Sequence, residues 1–195
     1  HEARFALPSL VRFGEDVHAL FIQLSGLGRA ARMHELVQSP FDLHDFLLAR
    51  IQREIDHAGA GRPAGIDAKL NSLTEPGIIQ ALYRASRAGV LGRFLEHSRV
   101  YRFVNGGEPM VWGSSADWME RNLFQRVEAA FPIHDPRLGE RMAAEAMELA
   151  FDDNRQAWLL QPDGSYLHAW PEKGETVRVA QEVLMQRAET DQGNA

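Results

Sequence analysis

The chain has 195 residues, 45% of them hydrophobic and 25% charged, which fits one large globular domain or one and a half smaller ones. These proportions exclude global disorder, and no run of residues approaches the ~18–20 apolar positions of a membrane span. A net charge of −6 argues against general nucleic-acid binding, and the lack of cysteine excludes disulfides, thiolate metal sites and a cysteine nucleophile, which suits a reducing cytoplasm.

Residues 14–36 carry Val17, Leu20, Phe21 and Leu24 at helical spacing, with Gly26 and Gly28 as an interruption. Ser39-Pro40-Phe41-Asp42 predicts a stop followed by an N-cap at Asp42. The next helix turns Leu43, Phe46, Leu47, Ile51 and Ile55 inward and ends at Ala58-Gly59-Ala60-Gly61. His18, His34, His44 and His57 fall among polar positions and are expected to be solvated. None of them pairs with a second ligand on its own face, so no metal site is expected.

Residues 66–71 alternate like a half-buried strand. Thr74-Glu75-Pro76 then opens a helix that turns Ile78, Ile79, Leu82 and Tyr83 inward and closes at Gly89. Strand, helix and glycine stop call for a parallel strand next. Val90 can begin it, but Leu91-Gly92-Arg93-Phe94 does not read as its continuation, so a segment is expected to be missing between Val90 and Leu91.

Residues 98–104 and 110–112 read as the arms of a hairpin around Asn105-Gly106-Gly107, followed by the loop Gly113-Ser114-Ser115-Ala116-Asp117. Residues 126–129 predict another strand. Asp135-Pro136 caps a helix with the stripe Leu138, Met142, Ala146 and Leu149. A second hairpin turns at Pro162-Asp163-Gly164. The last helix uses Val177, Ala180 and Leu184, and the tail after Arg187 is expected to be loose. The order of elements predicts an α/β fold with helices on a mixed sheet.

His97 and Arg99, two apart at a strand start, share one face of a sheet. An imidazole beside a guanidinium suits phosphoryl chemistry: one attacks phosphorus or moves a proton, the other neutralises oxygens. The Gly113-Ser114-Ser115 loop can add hydroxyls and free N–H groups, and Arg121 and Arg126 add charge. Taken alone, the same residues also fit a surface ion pair beside an ordinary turn. Lys69 and Lys173 are the only lysines; the wealth of arginine reflects either a GC-rich genome or bidentate phosphate clamping.

Gly92-Arg93-Phe94-Leu95-Glu96-His97-Ser98-Arg99-Val100-Tyr101, Asn105-Gly106-Gly107 and Ser114-Ser115-Ala116-Asp117-Trp118-Met119-Glu120-Arg121-Asn122 closely resemble the C-terminal catalytic region of the long, histidine-phosphorylated bacterial polyphosphate kinases. Ala68-Lys69-Leu70-Asn71-Ser72-Leu73, residues 79–90 and residues 152–166 extend the resemblance over most of the chain.

The resemblance implies a mixed sheet like that of phospholipase D, flanked by helices. Residues 1–38 would be the helical end of an upstream catalytic domain, and 39–190 the C-terminal catalytic domain. It implies transfer of the terminal phosphoryl of ATP to polyphosphate, with Mg²⁺, through a phosphohistidine. It gives His97 the assisting role, makes Arg126 a ligand of the nucleotide phosphates, and places Arg99, Ser115 and Arg121 beside them. ATP or ADP, polyphosphate, the upstream domain and further copies of the chain are the partners implied, in a cytoplasmic protein with membrane association left open.

Departures are clear. There is no Lys-Thr-His-Ala-Lys run for the phosphorylated histidine. Phe5-Ala6-Leu7-Pro8 stands where Leu-Tyr-Thr-Asp is expected, and Phe124 replaces an aspartate two residues before Arg126. The phosphohistidine would therefore lie outside this chain, and the chain alone is not expected to make polyphosphate. Two alternatives remain: a polyanion-binding or assembly domain, and a phosphodiesterase of the phospholipase D type. The second is disfavoured by arginine at 99, where such enzymes carry lysine.

Overall fold

The computed structural model describes residues 3–26, 33–95, 98–161 and 163–192. Its contacts divide the chain into two units, His1–Asp135 and Pro136–Ala195.

In the first unit, α1 (Ala3–Leu24) starts before residue 14 and ends ahead of Gly26, whose φ of +72° suits glycine and not helix. Phe21 and Leu24, two of the apolar residues that mark its helical spacing, are 67% and 57% exposed. The residue that anchors this helix is Asp16, which is buried and accepts the N–H groups of His34, Glu35 and Leu36 at 2.6–2.9 Å. Three backbone donors that would otherwise lack partners are thereby satisfied.

β1 (Val37–Ser39) leads into α2 (Leu43–Gly59). Asp42 occupies the N-cap position but makes no side-chain cap; its carboxylate instead accepts the N–H of Gln38 at 2.8 Å. Leu43, Leu47 and Ile51 enter the core, as their spacing predicts. Glu54 and His57 lie on the same buried side. Glu54 accepts the N–H groups of Gly65 and Asn105 at 3.0 and 2.7 Å. The expectation of four solvated histidines holds for His18 and His34 and fails for His44 and His57.

β2 (Gly65–Lys69) is buried through Ala68 instead of alternating in and out. One face carries Ile66 and Ala68 into the core. The other carries Asp67, which takes a bidentate pair from Arg93 (2.8 and 2.9 Å) and a third contact from Arg102 (3.3 Å). A carboxylate in a buried strand is tolerable because three guanidinium nitrogens replace its water.

α3 (Pro76–Arg87) is capped by Glu75, whose carboxylate accepts from the N–H groups of Gly77 and Ile78 at 2.9 and 2.6 Å. Ile78, Ala81 and Ala85 are its buried face, while Tyr83 is 66% exposed. Gly89 at φ +86° ends the helix as expected.

β3 (Leu91–Leu95) corrects the reading of this segment, for it pairs parallel with β2 from Gly65 opposite Leu91 to Lys69 opposite Leu95. Gly92 and Arg93 are poor strand formers, so propensity hid it. Tertiary context supplies the strand: the α3 crossover delivers it to the β2 edge and Asp67 holds Arg93. It is nonetheless an open edge, with Leu91 77% and Phe94 43% exposed. Beside it lies a cavity of about 130 Å³ lined by Ile66, Leu82, Ala85, Ser86, Val90, Gly92 and Phe94.

β4 (Val100–Phe103) and β5 (Met110–Ser114) form the expected hairpin around Asn105, Gly106 and Gly107, all at positive φ. A turn at Arg121–Gln125 leads to β6 (Glu128–Pro132), so this strand starts two residues later than the sequence predicts. The sheet order is β1-β6-β5-β4-β2-β3, antiparallel except between β2 and β3. The expected α/β class with a mixed sheet is therefore what the chain adopts.

In the second unit, α4 (Pro136–Ala143) passes through a wide turn at Ala144–Glu148 into α5 (Leu149–Phe151). The buried line is Gly139, Ala143 and Met147, one residue along from the predicted stripe, and Leu138 is 57% exposed. β7 (Trp158–Leu160) and β8 (Tyr166–His168) form the predicted second hairpin, with Gly164 at φ +84°; Pro162 of its turn lies outside the described residues. α6 (Ala180–Gln192) begins after Val177 and continues past Arg187, where the sequence predicts a loose tail. Among the described residues no helix is long and apolar enough to cross a membrane.

Candidate anion site at one end of the sheet

Strand directions decide which loops meet. Lys69 ends β2 with Leu95 of β3 on one side and Val100 of β4 on the other. Ser114 ends β5 opposite Ala130, and Ser39 ends β1 opposite Glu128 at the start of β6. The segments carrying Asn71, Arg99, Ser115, Arg121 and Arg126 thus leave the same end of the sheet. His97 lies outside the described residues; Leu95 and Ser98, the described residues that bracket it, are at this end.

Arg99 points into the fold's own polar network. Its Nη2 donates to Asp117 Oδ2 at 2.9 Å, and Asp117 Oδ1 accepts the N–H of Asn71 at 2.8 Å. Asp117 is buried, whereas the Arg99 side chain is 32% exposed. The hydrogen bond to Asp117 holds the guanidinium above its usual value, against the pull of partial burial. Arg99 Nε is buried with no partner among the described residues. Lys69 is pushed below its usual value by burial. Tyr101 is raised by burial, and its hydroxyl donates to the carbonyl of Ala116.

The serine loop is committed to the fold, contrary to the expectation of free donors. The N–H of Ser114 goes to Arg99 O, that of Ser115 to Ala129 O, and that of Ala116 to Ser114 Oγ. Ser115 Oγ accepts from Ala129 N at 3.1 Å and donates to Glu128 Oε2 at 2.5 Å. Glu128 Oε1 accepts from Asn122 Nδ2 at 2.7 Å, so this carboxylate ties the turn to the strand. Bringing Ser115 to an anion requires it to leave Glu128.

Arg121 and Arg126 are exposed and make no ion pair among the described residues. Their backbone is fixed: Leu123 is fully buried, and Arg126 O accepts Ser39 Oγ at 2.7 Å. Ser39 Oγ also accepts Glu128 N, which ties β1 to this turn. Phe124, 43% exposed, lies with its ring 4.7 Å from that of His44. His44 Nε2 is 3.2 Å from Glu75 Oε2. Burial pushes Glu75 up, but the N–H groups of Gly77 and Ile78 and the His44 ring outweigh it, so the carboxyl sits below its usual value.

Sequence reasoning gathers Arg99, Arg121 and Arg126 about one anion and assigns no role to Asp117, Glu128, Asn71 or Asn122; it reads Glu75 only as part of a helix start and His44 only as solvated. The one signal for them is an aspartate closing a Gly-Ser-Ser loop, a pattern shared with ordinary turns. Among the described residues no group of three His, Cys, Asp or Glu converges as a metal site. Asp117 and Glu128 are already engaged by Arg99, Asn71, Ser115 and Asn122, so the described residues do not fit a resident Mg²⁺.

Comparison with known proteins adds three findings. The family model described as polyphosphate kinase C-terminal domain 2 matches residues 36–91 and 90–181. The polyphosphate kinase of Neisseria gonorrhoeae is 47% identical over 189 aligned positions, covering 83% of this chain and 28% of that protein. That of Pseudomonas aeruginosa is 44% identical over 201 positions, covering 89% and 29%. In three dimensions the chain resembles the crystal structure of polyphosphate kinase from Porphyromonas gingivalis, with a TM-score of 0.84 at 29% identity, over 92% of this chain and 32% of that one. The chain thus spans less than a third of the length of these relatives.

Proposed function

The chain belongs to the polyphosphate kinase family, within its C-terminal domain 2, and on that premise we propose that it is part of an ATP:polyphosphate phosphotransferase. In this reading it supplies one side of a phosphate-filled site, completed by an upstream domain that carries the phosphorylated histidine. The observation that supports it most is the pairing of a committed arginine with two uncommitted ones. Arg99 is held by Asp117, while Arg121 and Arg126 project from an anchored turn at the same end of the sheet.

The roles follow from charge and reach. Arg126 and Arg121 would neutralise non-bridging phosphate oxygens, and Arg99, held by Asp117 with its side chain 32% exposed, would add positive charge beside them. His97 would move a proton or steady the phosphoryl group in transfer. Mg²⁺ would arrive on the phosphates of ATP.

We also propose that the Val90–Leu91 junction lacks a segment that the relatives contain. The family model matches in two pieces that meet there. The alignment with the Neisseria gonorrhoeae protein extends over 189 positions although only 83% of 195 residues take part. The mass of the intact protein separates a longer polypeptide from a true deletion.

Titrating the chain with tripolyphosphate at low and high salt tests the reading. Affinity should fall steeply as salt rises, and His97→Ala should abolish phosphotransfer from ATP once the upstream part of a relative is supplied. Tight, salt-sensitive binding without any transfer would favour the polyanion-binding alternative.

A further inference from the structure

We propose that the exposed face of Phe124 is a stacking platform for the base of a nucleotide whose phosphates reach Arg126 and Arg121. This rests on the phosphate reading above and adds to it a named residue that tells a nucleotide from bare polyphosphate.

The turn at Arg121–Gln125 presents a cation, an aromatic ring and, at its exit, a second cation. A ligand made only of phosphate has use for the arginines alone. A nucleotide has use for all three, because a purine offers a π face tethered within reach of its phosphates.

The ring is backed as well as exposed. His44 lies 4.7 Å away at 54°, and His44 is itself held 3.2 Å from Glu75, whose carboxylate is fixed by two helix N–H groups. Leu123 is fully buried and Asn122 is bound to Glu128, so the backbone carrying Phe124 is anchored on its inner side. Arg126, two residues on, is pinned through its carbonyl by Ser39. The ring and the backbone of Arg126 therefore sit on one anchored element, and stacking a base on the ring orders little that is not already ordered. An aromatic in place of the aspartate expected at 124 also removes a negative charge from the neighbourhood of Arg126, which favours an anion there.

The test is calorimetric titration of the 195-residue chain with ATP and, separately, with inorganic tripolyphosphate, both with Mg²⁺. In Phe124→Leu, the Kd for ATP should rise about tenfold or more while that for tripolyphosphate stays within about twofold. Phe124→Trp should restore ATP binding, since it keeps a π face. Unchanged ATP affinity in Phe124→Leu overturns the proposal. Equal loss of both ligands, not rescued by Trp, shows that the ring serves packing against His44 and overturns it too, leaving the phosphate reading intact. Failure of the unaltered chain to bind either ligand overturns the phosphate reading itself, a different result from the other two.

Discussion

Arg99 Nη2 and Asp117 Oδ2 lie 2.9 Å apart, and this bond joins the start of β4 to the loop that follows β5. Asp117 also fixes Asn71, just beyond β2, so one buried carboxylate holds three segments at the end of the sheet where the arginines gather.

Replacing Asp117 by Ala leaves a partly buried guanidinium and one backbone N–H without a partner. The expected cost is roughly 1–3 kcal/mol, below that of a fully buried pair because the Arg99 side chain is 32% exposed. Urea unfolding should show a lower midpoint with an unchanged slope. Asp117→Asn keeps one acceptor oxygen for the Asn71 N–H but turns its amide NH2 toward Arg99, so it should recover only part of the loss.

Glu75 makes part of the stability pH-dependent. Its folded carboxyl titrates below the reference value of 4.5, so its contribution is fully present above that value and is lost as pH falls through the folded value. Asp153 in the second unit, also held below its usual range by backbone N–H donors that outweigh its burial, acts in the same direction. Glu75→Ala should cost about 1–2 kcal/mol at pH 7 by loss of the α3 cap. The difference from the unaltered protein should narrow in melts run from about pH 5 downward.

Gly106 is packed against a histidine. A Cβ built there would meet His57 Cε1 at 2.8 Å, at a φ of +70° that other residues avoid. Gly106→Ala should destabilise by about 1–3 kcal/mol. In a His57→Ala background only the backbone penalty should remain, so a double-mutant cycle should show clear coupling.

Arg126 has no ion-pair partner among the described residues, so its removal should leave folding almost untouched. Arg126→Ala should change the unfolding free energy by no more than a few tenths of a kcal/mol. It should weaken tripolyphosphate several-fold and flatten the salt dependence of binding, read by the same titration. A large loss of stability would mean that the side chain is structural.

What local pattern encodes is legible in the residues. The period of α2, the β2-to-α3 passage, both hairpins and the α/β class follow from spacing, caps and turn glycines, which act within a few positions. The motif around Glu96-His97-Ser98-Arg99 also points to the family by its residues alone. What the sequence could not determine is set by partners far along the chain. Leu91-Gly92-Arg93-Phe94-Leu95 becomes a strand because β2 and Asp67 receive it. His57 is buried because Gly106 comes to lie against it. Ser39 meets Arg126 across 87 positions, and Asp117 meets Arg99 across 18. A carboxylate reads the same in a sequence whether water or a guanidinium will solvate it; only the packed sheet decides which.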